Sequence, residues 1–507
     1  MPARTRSWRG FTALALALPV ALSGCGGSAD AGAGAPATLK WAVGSFPTHW
    51  DPVVSGSGAQ FRQLALVYAS LTRTDATGNP VPDLAESWKY NKTGDEITFH
   101  LRAGAAFSDG APVDAAAVKA AIERAKTQKN SALFGDLTSI KSVTTSGDLD
   151  VVVHLTQTDY QIPLLFGERV LQIASPKAAA DPTKLDQNPV GAGPFTVTQL
   201  IPGTKALLKK NPNYWDAKNV HIDNVELVSA PDASTVVAGL QTGVYNFADI
   251  PASQAKAAKA AGLDVFVQPG FNASNLSLNI NKAPFTDPKV VDAVRHAINR
   301  QEFVDKLTFG YGKATTQPFP PGYVAYDPQS ADLYPYDAAK AKQLLSEAGI
   351  APGQITLDLV IPEAQPASEI VQAQLAAVGI KVNIKIDKNW STPFFAKQLV
   401  FSIYGTTGRD SALQTLTAHF GPNGPLNLST PYEPAGFEAA VAKVRKTPLD
   451  SPDYPKLLQE ATRAGLESKA LVFTYSQPNL FAKNKSVSAL PGNPGHVDWT
   501  GVTIGAK

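Results

Sequence analysis

The residues that could do chemistry are scattered along this chain and do not form a known catalytic pattern. The segment GYGK at 310–313 has a Lys after glycines, but it lacks the spacing of a phosphate-binding loop and the Ser or Thr after the Lys. The segment GAGP at 191–194 has the wrong spacing for a dinucleotide-binding turn, and its Pro removes a needed donor. Neither a Gly-x-Ser-x-Gly elbow nor a His-Glu-x-x-His helix occurs. We therefore expect no catalytic activity. If the chain were an enzyme, the alternative would be a hydrolase.

The single cysteine, Cys25, lies in a leader-like segment. One Cys excludes a disulfide framework and a cysteine-cluster metal site. Three arginines among the first nine residues precede an apolar run at 11–21, which is too short to span a bilayer but suits a secretory signal. The tetrapeptide LSGC at 22–25 resembles the bacterial lipobox, whose Cys is acylated. We predict a signal peptide at 1–24 and a lipidated Cys25 that begins a Gly/Ala-rich tether at 25–37, the alternative for Cys25 being a buried free thiol.

The overall composition limits the possible partners. The chain has 45 basic and 43 acidic side chains, a formal charge of +2, so nucleic acid is not an expected partner. With 507 residues, 44% of them hydrophobic, it can bury a large core and is expected to form two or three packed units. No later run reaches transmembrane length, so the mature chain should lie outside the membrane, held by lipid alone.

Hydrophobic alternation and capping residues predict a mixed fold. Alternation at 97–101 and 149–155 predicts two half-buried strands with a helix between them, within an α+β unit at about 68–189. Beyond about residue 287, helices and strands alternate, which predicts an α/β domain. The predicted helix N-caps are Asp114, Asp232, Asp287 and Asp337.

Four segments carry a family pattern. They are LVYASLTRTDATGNPVPDLAESW at 66–88, ITFHLRAGAAFSDGAPV at 97–113, NPVGAGPF at 188–195 with NPNYWD at 211–216, and LNINKAPFTDPKVVDAVRHAINRQEFV at 278–304 with YDAAKAKQLLSEAGI at 336–350. In this order they resemble the extracytoplasmic solute-binding proteins of family 5, the dipeptide, oligopeptide and nickel receptors of ABC importers.

The resemblance implies an α/β, two-lobed fold like that of periplasmic binding proteins of class II, with an inserted α+β subdomain in the first lobe. Two crossing strands should join the lobes, and residues 473–481 are expected to form the returning one. The implied organisation after the tether is first lobe 38–67, inserted subdomain 68–189, first lobe 190–278, second lobe 279–474 and return to the first lobe 475–507.

The resemblance also implies a receptor function. A short peptide would be held between the lobes, and the closed, liganded form would be presented to a membrane permease and its ATPase. No bond is made or broken, and no cofactor or metal is expected. We expect an extracytoplasmic monomer that is anchored to the bacterial cell membrane by lipidated Cys25.

The segment at 398–424 holds the expected ligand contact. In peptide-binding relatives a similar strand, Gly-containing loop and Asp hold the α-ammonium of the peptide. Asp410 falls at the matching position, after Tyr404 in the strand and Gly408 in the loop. A buried ammonium needs such a carboxylate, because burying it unpaired is prohibitive. The alternative is that Asp410 caps a helix that begins at Ser411.

This segment departs from the family pattern just before the Asp. Peptide binders usually carry a Trp there, whereas this chain has Thr406, Thr407 and Gly408, with Arg409 adjacent to Asp410. The Arg409 guanidinium would weaken the field of the carboxylate or itself bind an anionic ligand. A non-peptide solute therefore remains an alternative: a nickel or other metal chelate, an oligosaccharide or an opine-like compound.

The loop at 46–57 is expected to form the opposite wall of the cleft. Trp50 could stack on the ligand there, the alternative being a core aromatic beneath the loop. His49 and His419 could face the cleft and meet a metal chelate, while the other five histidines are expected to be ordinary. The sequence predicts no site for a bare metal ion.

Overall fold

The computed structural model describes residues 36–55, 58–75, 78–167, 169–230, 232–268, 272–406, 411–477, 479–490 and 499–505, and the folded unit is Ala37–Lys507. Apolar residues at every second position produce strands, because successive side chains point to opposite faces of a sheet. The strands are β1 (Thr38–Val43), β2 (Thr72–Thr74), β3 (Pro80–Pro82), β4 (Ala85–Tyr90), β5 (Glu96–Leu101), β6 (Ile140–Ser146), β7 (Asp150–Leu155), β8 (Phe195–Ile201), β9 (Lys205–Lys210), β10 (Asn224–Ser229), β11 (Phe247–Ile250), β12 (Asp264–Gln268), β13 (Ala273–Leu278), β14 (Lys313–Ala314), β15 (Thr356–Ile361), β16 (Lys381–Ile386), β17 (Phe401–Thr406), β18 (Leu471–Ser476) and β19 (Asn479–Lys483).

The helices are short and most begin at a polar cap or a Pro. They are α1 (Gly58–Leu64), α2 (Ala115–Thr127), α3 (Ile162–Leu165), α4 (Pro176–Ala179), α5 (Pro182–Gln187), α6 (Ala233–Thr242), α7 (Ala252–Ala260), α8 (Pro288–Ala297), α9 (Arg300–Phe303), α10 (Ala338–Glu347), α11 (Pro366–Ala377), α12 (Ser391–Phe395), α13 (Ala412–Phe420), α14 (Phe437–Arg445) and α15 (Tyr454–Leu466). The four predicted caps are confirmed, since each Asp accepts a hydrogen bond from a first-turn N–H: Asp114, Asp232, Asp287 and Asp337. Within the described ranges, no helix has the length and apolar character needed to cross a bilayer.

The first lobe is built on a sheet with the strand order β12-β19-β11-β1-β10-β9-β8. β1 runs parallel to both β10 and β11, with Trp41 beside Leu227 on one side and Phe247 on the other. On one face of this sheet the rings of Trp41, Phe247 and Phe481 pack together, with 5.4 Å between the first two ring centroids and 5.3 Å between the last two. These aromatic contacts bury much of the apolar surface of the lobe.

The inserted subdomain has its own sheet, β4-β5-β7-β6. Helix α2 covers one face and buries Val118 and Ile122 against the strand residues Phe99 and Val153, all of which are fully buried. The subdomain therefore has a separate hydrophobic core, as the alternating pattern at 97–101 predicts.

The second lobe is built on a sheet with the strand order β14-β18-β13-β17-β15-β16. β15 is parallel to β16 and β17, as expected for strands connected through helices such as α11. Helices α8, α10 and α11 cover one face, and α13, α14 and α15 contribute to the apolar cluster on the other. β13 and β18 are buried along their whole length, whereas β15 and β16 alternate buried apolar residues with exposed polar ones.

The lobe boundaries differ from those expected at 278/279 and 474/475. β13 belongs to the sheet of the second lobe, so that lobe begins near residue 273 and not at 279. The expected single strand at 473–481 is two strands, because β18 pairs in the second lobe and β19 pairs in the first. The error has a physical cause: a strand that crosses between lobes keeps its apolar pattern on both sides of the crossing.

Candidate ligand-binding cleft

Two short connections join the lobes at the base of the cleft. The chain leaves the first sheet after β12, enters the second at β13, and returns from β18 to β19. The N–H of Gln477 donates to the carbonyl oxygen of Asn272 at 2.8 Å, and Asn272 Nδ2 donates to Asn479 Oδ1 at 3.2 Å. The connections are therefore tied side by side, which suits a hinge about which the two lobes can close.

The carboxyl ends of the parallel strands in both sheets lie at this hinge. In the first lobe β1, β11 and β12 end there, because β11 and β12 both pair antiparallel with β19, which starts at the hinge. In the second lobe β17 ends there, because Thr406 pairs with Ala273 at the start of β13, and β15 is parallel to β17. Ligands of open α/β sheets bind outside the carboxyl ends of the strands. The loops after these strands therefore face one another across a candidate binding cleft.

A cavity of about 560 Å³ lies beside the hinge and takes its walls from both lobes; we call it the hinge cavity. The first lobe contributes Arg62 of α1 and residues 249–253, at the end of β11 and the start of α7. The second lobe contributes residues 306–309 and 365–367, with Tyr475 of β18. Its volume lies in the usual range for small-molecule sites.

Two charged groups of the first lobe meet at the hinge cavity. Arg62 Nη2 lies 3.9 Å from Asp249 Oδ2, which is too long for a hydrogen bond. Burial raises the pKa of Asp249, while the Arg62 charge and the hydrogen bond that Trp41 Nε1 donates at 3.0 Å oppose that rise. The Arg62 guanidinium also lies over the Phe481 ring, 5.3 Å from its centroid. Asp249 therefore compensates the Arg62 charge only in part.

A second cavity, of about 770 Å³, lies between the inserted subdomain and the second lobe; we call it the outer cavity. Asp136, Asp159 and Arg169 line it from the subdomain, and Gln414 and Arg445 line it from the second lobe. Its walls thus carry charges of both signs. A solute in this cavity would contact both sides, as it would in the hinge cavity.

The lobes touch directly beside the outer cavity, through what we call the outer contact. The N–H of Tyr160 donates to the carbonyl oxygen of Arg445 at 2.9 Å, and Arg445 Nη1 lies 3.5 Å from Asp159 Oδ2. Gln161 Oε1 accepts hydrogen bonds from Tyr454 Oη at 3.0 Å and from Ser411 Oγ at 3.3 Å. Burial raises the pKa of Asp159, and Arg445 opposes that rise. The lobes are in direct contact here, so we describe the arrangement as closed, although the buried Gln161 Nε2 has no hydrogen-bond partner within the described part of the chain.

Several of the predicted site residues lie outside the described residues: Cys25, Gly408, Arg409 and Asp410. Helix α13, which follows Asp410 in the sequence, is described. Ser411 is its N-cap: Ser411 Oγ accepts the N–H of Leu413, and the Gln414 side chain accepts the N–H of Ser411. Ser411 therefore occupies the N-cap position of this helix, and both roles considered for Asp410 lie outside the described residues.

Tyr404 is half-buried on β17, two residues before the end of the strand. Its ring stacks on Trp390 with 5.5 Å between centroids and on Phe394 with 5.3 Å. These contacts fix the ring near the loop at 407–410 and leave its predicted role in ligand binding open. The position agrees with a wall of the cleft, since this end of β17 lies at the hinge.

Trp50 corrects one expectation. Its side chain is only 3% exposed and packs against Phe46, at 6.1 Å between ring centroids. The ring therefore has no face left to stack on a ligand in this arrangement, and it belongs to the core of the first lobe, the alternative that the sequence left open. His49 is exposed, and its Nδ1 lies 3.0 Å from Asp186 Oδ2, which helps to hold the loop. Its ligand role stays a prediction.

His419 does not reach a cleft surface. It is 2% exposed, and its Nδ1 lies 2.7 Å from the carbonyl oxygen of Thr415 in the same helix. The expectation that His419 meets a metal chelate is therefore wrong, because its helical position turns it into the core. Among the described residues, no group of three His, Cys, Asp or Glu side chains could hold a metal ion.

The sequence reasoning missed the charged residues of both cavities. Arg62 and Asp249 come from distant parts of the first lobe, and Asp159 and Arg445 come from opposite sides of the outer contact, so no single segment shows either pair. One local signal was available, since α7 begins after Pro251 and α11 begins after Gln365, neither of them a usual capping residue.

Comparison of sequences identifies relatives of the chain. Residues 79–424 match the profile of the bacterial extracellular solute-binding proteins, family 5 Middle. The chain is 30% identical over 465 residues to the glutathione-binding protein GsiB of Salmonella paratyphi A, a match that covers 88% of this chain and 89% of that protein. It is 29% identical over 378 residues to di/tripeptide-binding protein 3 of Pseudomonas aeruginosa, covering 67% of this chain and 70% of that protein.

Comparison of structures gives the same fold. HbpA2 of Haemophilus parasuis superposes with a TM-score of 0.78 at 25% identity, over 92% of this chain and 100% of that one. The periplasmic binding protein DppA of Helicobacter pylori, in complex with the peptide STSA, superposes with a TM-score of 0.80 at 23% identity, over 92% and 98% of the chains. The predicted two-lobed α/β fold is therefore confirmed.

The buried carboxyl of Asp159 predicts that closure depends on pH. Its pKa is raised in the closed arrangement, and opening would return it to water and to its ordinary pKa of about 3.9. The closed form thus binds a proton more tightly, so the closed fraction should rise as pH falls from 7 through the raised pKa and level off below about 4. Energy transfer between dyes on the two lobes measures that fraction.

Two variants test the assignment to Asp159. Asp159→Asn should remove this part of the pH dependence, because the amide does not titrate. Arg445→Met should shift the dependence to higher pH, because the charge that lowers the pKa of Asp159 is lost. The same pH profile for the wild type and Asp159→Asn would show that Asp159 is not the responsible group.

Proposed function

Because the chain belongs to the bacterial extracellular solute-binding proteins of family 5, we propose that it captures a short peptide between its lobes and delivers it to the permease and ATPase of an ABC importer. Proteins of this family bind solutes and do not transform them. The observation that carries the proposal is that the hinge cavity and the outer cavity each take walls from both sides of the cleft. Relatives named for glutathione and for di- and tripeptides support the peptide class.

Closure couples binding to delivery. A solute that contacts both lobes stabilises the closed form relative to the open one, and the permease recognises the relative position of the lobes. A shift from mostly open to mostly closed needs about 5 kcal/mol of differential affinity. A hydrogen bond to a charged group contributes about 1.5–3 kcal/mol net, so two or three such contacts are enough.

We assign the peptide ammonium to Asp410. The carboxyl end of β17 lies at the hinge, and Asp410 follows Thr406 by four residues in the sequence. Ser411 supplies the side-chain cap of α13. Arg409 beside it would moderate its charge, which favours ligands that also offer an anionic group.

We also propose that the mature protein is a monomer held at the outer face of the bacterial membrane by lipidated Cys25. The motif LSGC at 22–25 and the Gly/Ala-rich stretch that follows support the anchor. A tether of this composition lets the receptor reach a permease without constraining its orientation.

Titration calorimetry tests the peptide class. The panel is di- to hexa-alanine, glutathione, a nickel–histidine chelate, an opine and an oligosaccharide, each added to the mature protein after refolding to remove any co-purified solute. We expect binding by at least one peptide and no turnover of it over hours, measured by chromatography. Binding by the chelate, opine or sugar alone would instead establish the non-peptide receptor, and hydrolysis of a bound peptide would establish an enzyme.

Removing the Asp410 charge should discriminate among peptides by their amino end. Asp410→Asn is expected to weaken a free-amine peptide at least tenfold and its N-acetyl derivative less than threefold, because only the ammonium needs the carboxylate. Calorimetry measures both dissociation constants. Asp358→Asn, on the exposed side of β15, is the matched control and should change neither. Equal losses for the two peptides in Asp410→Asn would exclude the ammonium contact.

Replacing the only cysteine should release the protein from the membrane. Cys25→Ala, expressed in a bacterial host, should move the receptor from the membrane fraction to the soluble extracytoplasmic fraction while leaving peptide affinity unchanged. Fractionation with immunoblotting measures the distribution, and mass spectrometry of the wild type should find acyl chains on Cys25. An unmodified Cys25 in the membrane-bound wild type would refute the lipid anchor.

A further inference from the structure

A third cavity, of about 160 Å³, lies in the inserted subdomain; we call it the subdomain cavity. Its walls come mainly from helix α2 and from residues 170–180, which include α4, and Val53 of the first lobe also lines it. It shares no lining residue with the hinge cavity or with the outer cavity. The subdomain cavity is therefore separate from both cavities of the cleft.

Small side chains leave this space open. Six of the lining residues are alanines, three of them on α2 and three between residues 174 and 180. An alanine side chain is a single methyl group, so the two facing segments do not fill the gap between their backbones. Ala120 and Ala180 are exposed, whereas Leu133 and Leu171 are almost completely buried. The cavity therefore runs from a mouth at the surface to an apolar floor.

Two of the thirteen lining residues are polar, and each has an unpartnered atom. Gln172 is 5% exposed; its Nε2 donates to the carbonyl oxygen of Phe61 at 3.1 Å, whereas Oε1 has no partner among the residues that the structure describes. The side chain of Arg124 is 15% exposed; Nη2 pairs with Asp51, whereas the buried Nε has no partner in the same described ranges. A buried polar atom without a hydrogen bond is costly. The cavity thus offers a ligand one donor and one acceptor.

The size and chemistry of the subdomain cavity limit its occupant. An apolar cavity of about 150 Å³ stays dry and accepts benzene. The subdomain cavity has a similar volume and eleven apolar lining residues, so a single apolar ring fits it. A hydroxyl group on that ring can accept a hydrogen bond from Arg124 Nε and donate one to Gln172 Oε1. A carboxylate is disfavoured, because it has no proton to donate to Gln172 Oε1.

We propose that the subdomain cavity binds a small neutral phenol, an apolar ring with one hydroxyl group. The hydroxyl lies between Arg124 Nε and Gln172 Oε1, and the ring contacts the alanines of α2 and of residues 174–180. Binding does not require lobe closure, because every wall belongs to the first lobe and its inserted subdomain. This site is independent of the receptor function proposed above, and its ligand does not compete with the solute in the cleft.

Titration calorimetry with phenol and toluene tests the role of the hydroxyl. The two molecules have nearly the same shape, but only phenol can satisfy both polar atoms of the cavity. The wild type should bind one phenol per chain, at least fivefold more tightly than toluene. Gln172→Met keeps the length of the side chain and removes the acceptor, so the preference for phenol should fall below twofold. Thermal unfolding checks that this variant is folded.

Filling the cavity tests the position of the site. Ala121→Leu adds a larger side chain to the wall formed by α2, so it should lower phenol affinity at least tenfold without lowering the unfolding temperature. Ala116→Leu is the matched control: Ala116 is exposed on the same helix and does not line the cavity, so phenol affinity should equal that of the wild type. A saturating amount of the solute that binds in the calorimetric panel should change phenol affinity less than twofold.

Four outcomes would overturn the site. They are no binding of phenol, which means that the cavity holds water only; toluene binding as tight as that of phenol; unchanged phenol affinity in Ala121→Leu; and displacement of phenol by the solute of the cleft. If Gln172→Met does not fold, Ala121→Leu and the comparison of phenol with toluene in the wild type decide. Failure of the receptor proposal looks different, since no peptide then binds while phenol still does.

Discussion

The pairing of the two interlobe connections is the constraint on which the rest of the structure depends. The hydrogen bonds of Asn272 with Gln477 and Asn479 hold the departing and the returning segment side by side. β12 and β19 are therefore neighbours in the first sheet, and β13 and β18 are neighbours in the second. Both sheets consequently turn the carboxyl ends of their parallel strands towards the hinge. The position of the cleft loops is therefore determined by the two paired connections and not by the local sequence of the loops.

Polar groups that pair at the outer contact come from opposite lobes, so they pair only when the lobes close. A solute is therefore recognised during closure. At the outer contact, Asp159 is buried on one side and its cation Arg445 lies on the other. Removing the Asp159 or the Arg445 charge from water without its partner would cost several kcal/mol. Closure removes that cost only if the groups meet in good geometry. Solute binding and lobe closure are thus coupled, and a small solute can shift the equilibrium between the open and closed forms with a few charged contacts.

The local features of the fold could be predicted from the sequence, whereas the contents of the cleft could not. Asp114 and Asp287 accept hydrogen bonds from backbone N–H groups two or three residues further along. A short segment of sequence is therefore enough to predict these helix caps. The role of Trp50 was ambiguous, because the sequence around a loop aromatic is the same whether its ring packs into the core or faces the cleft. Arg62 gave no signal in the sequence, since its charged neighbour Asp249 belongs to β11, far along the chain. The crossing after β18 was misassigned because its apolar pattern continues into β19.

The sheet geometry also bears on the size of the solute. β15 and β17 are adjacent parallel strands, but β17 continues three residues beyond the level of Ile361, so the loops that follow the two strands start about 11 Å apart. One loop leads to α11 beside the hinge cavity, and the other leads to α13. An extended peptide advances about 3.3–3.6 Å per residue, so a ligand anchored by both of its ends between these loops is only a few residues long. The spacing of these two strand ends therefore suits a short peptide.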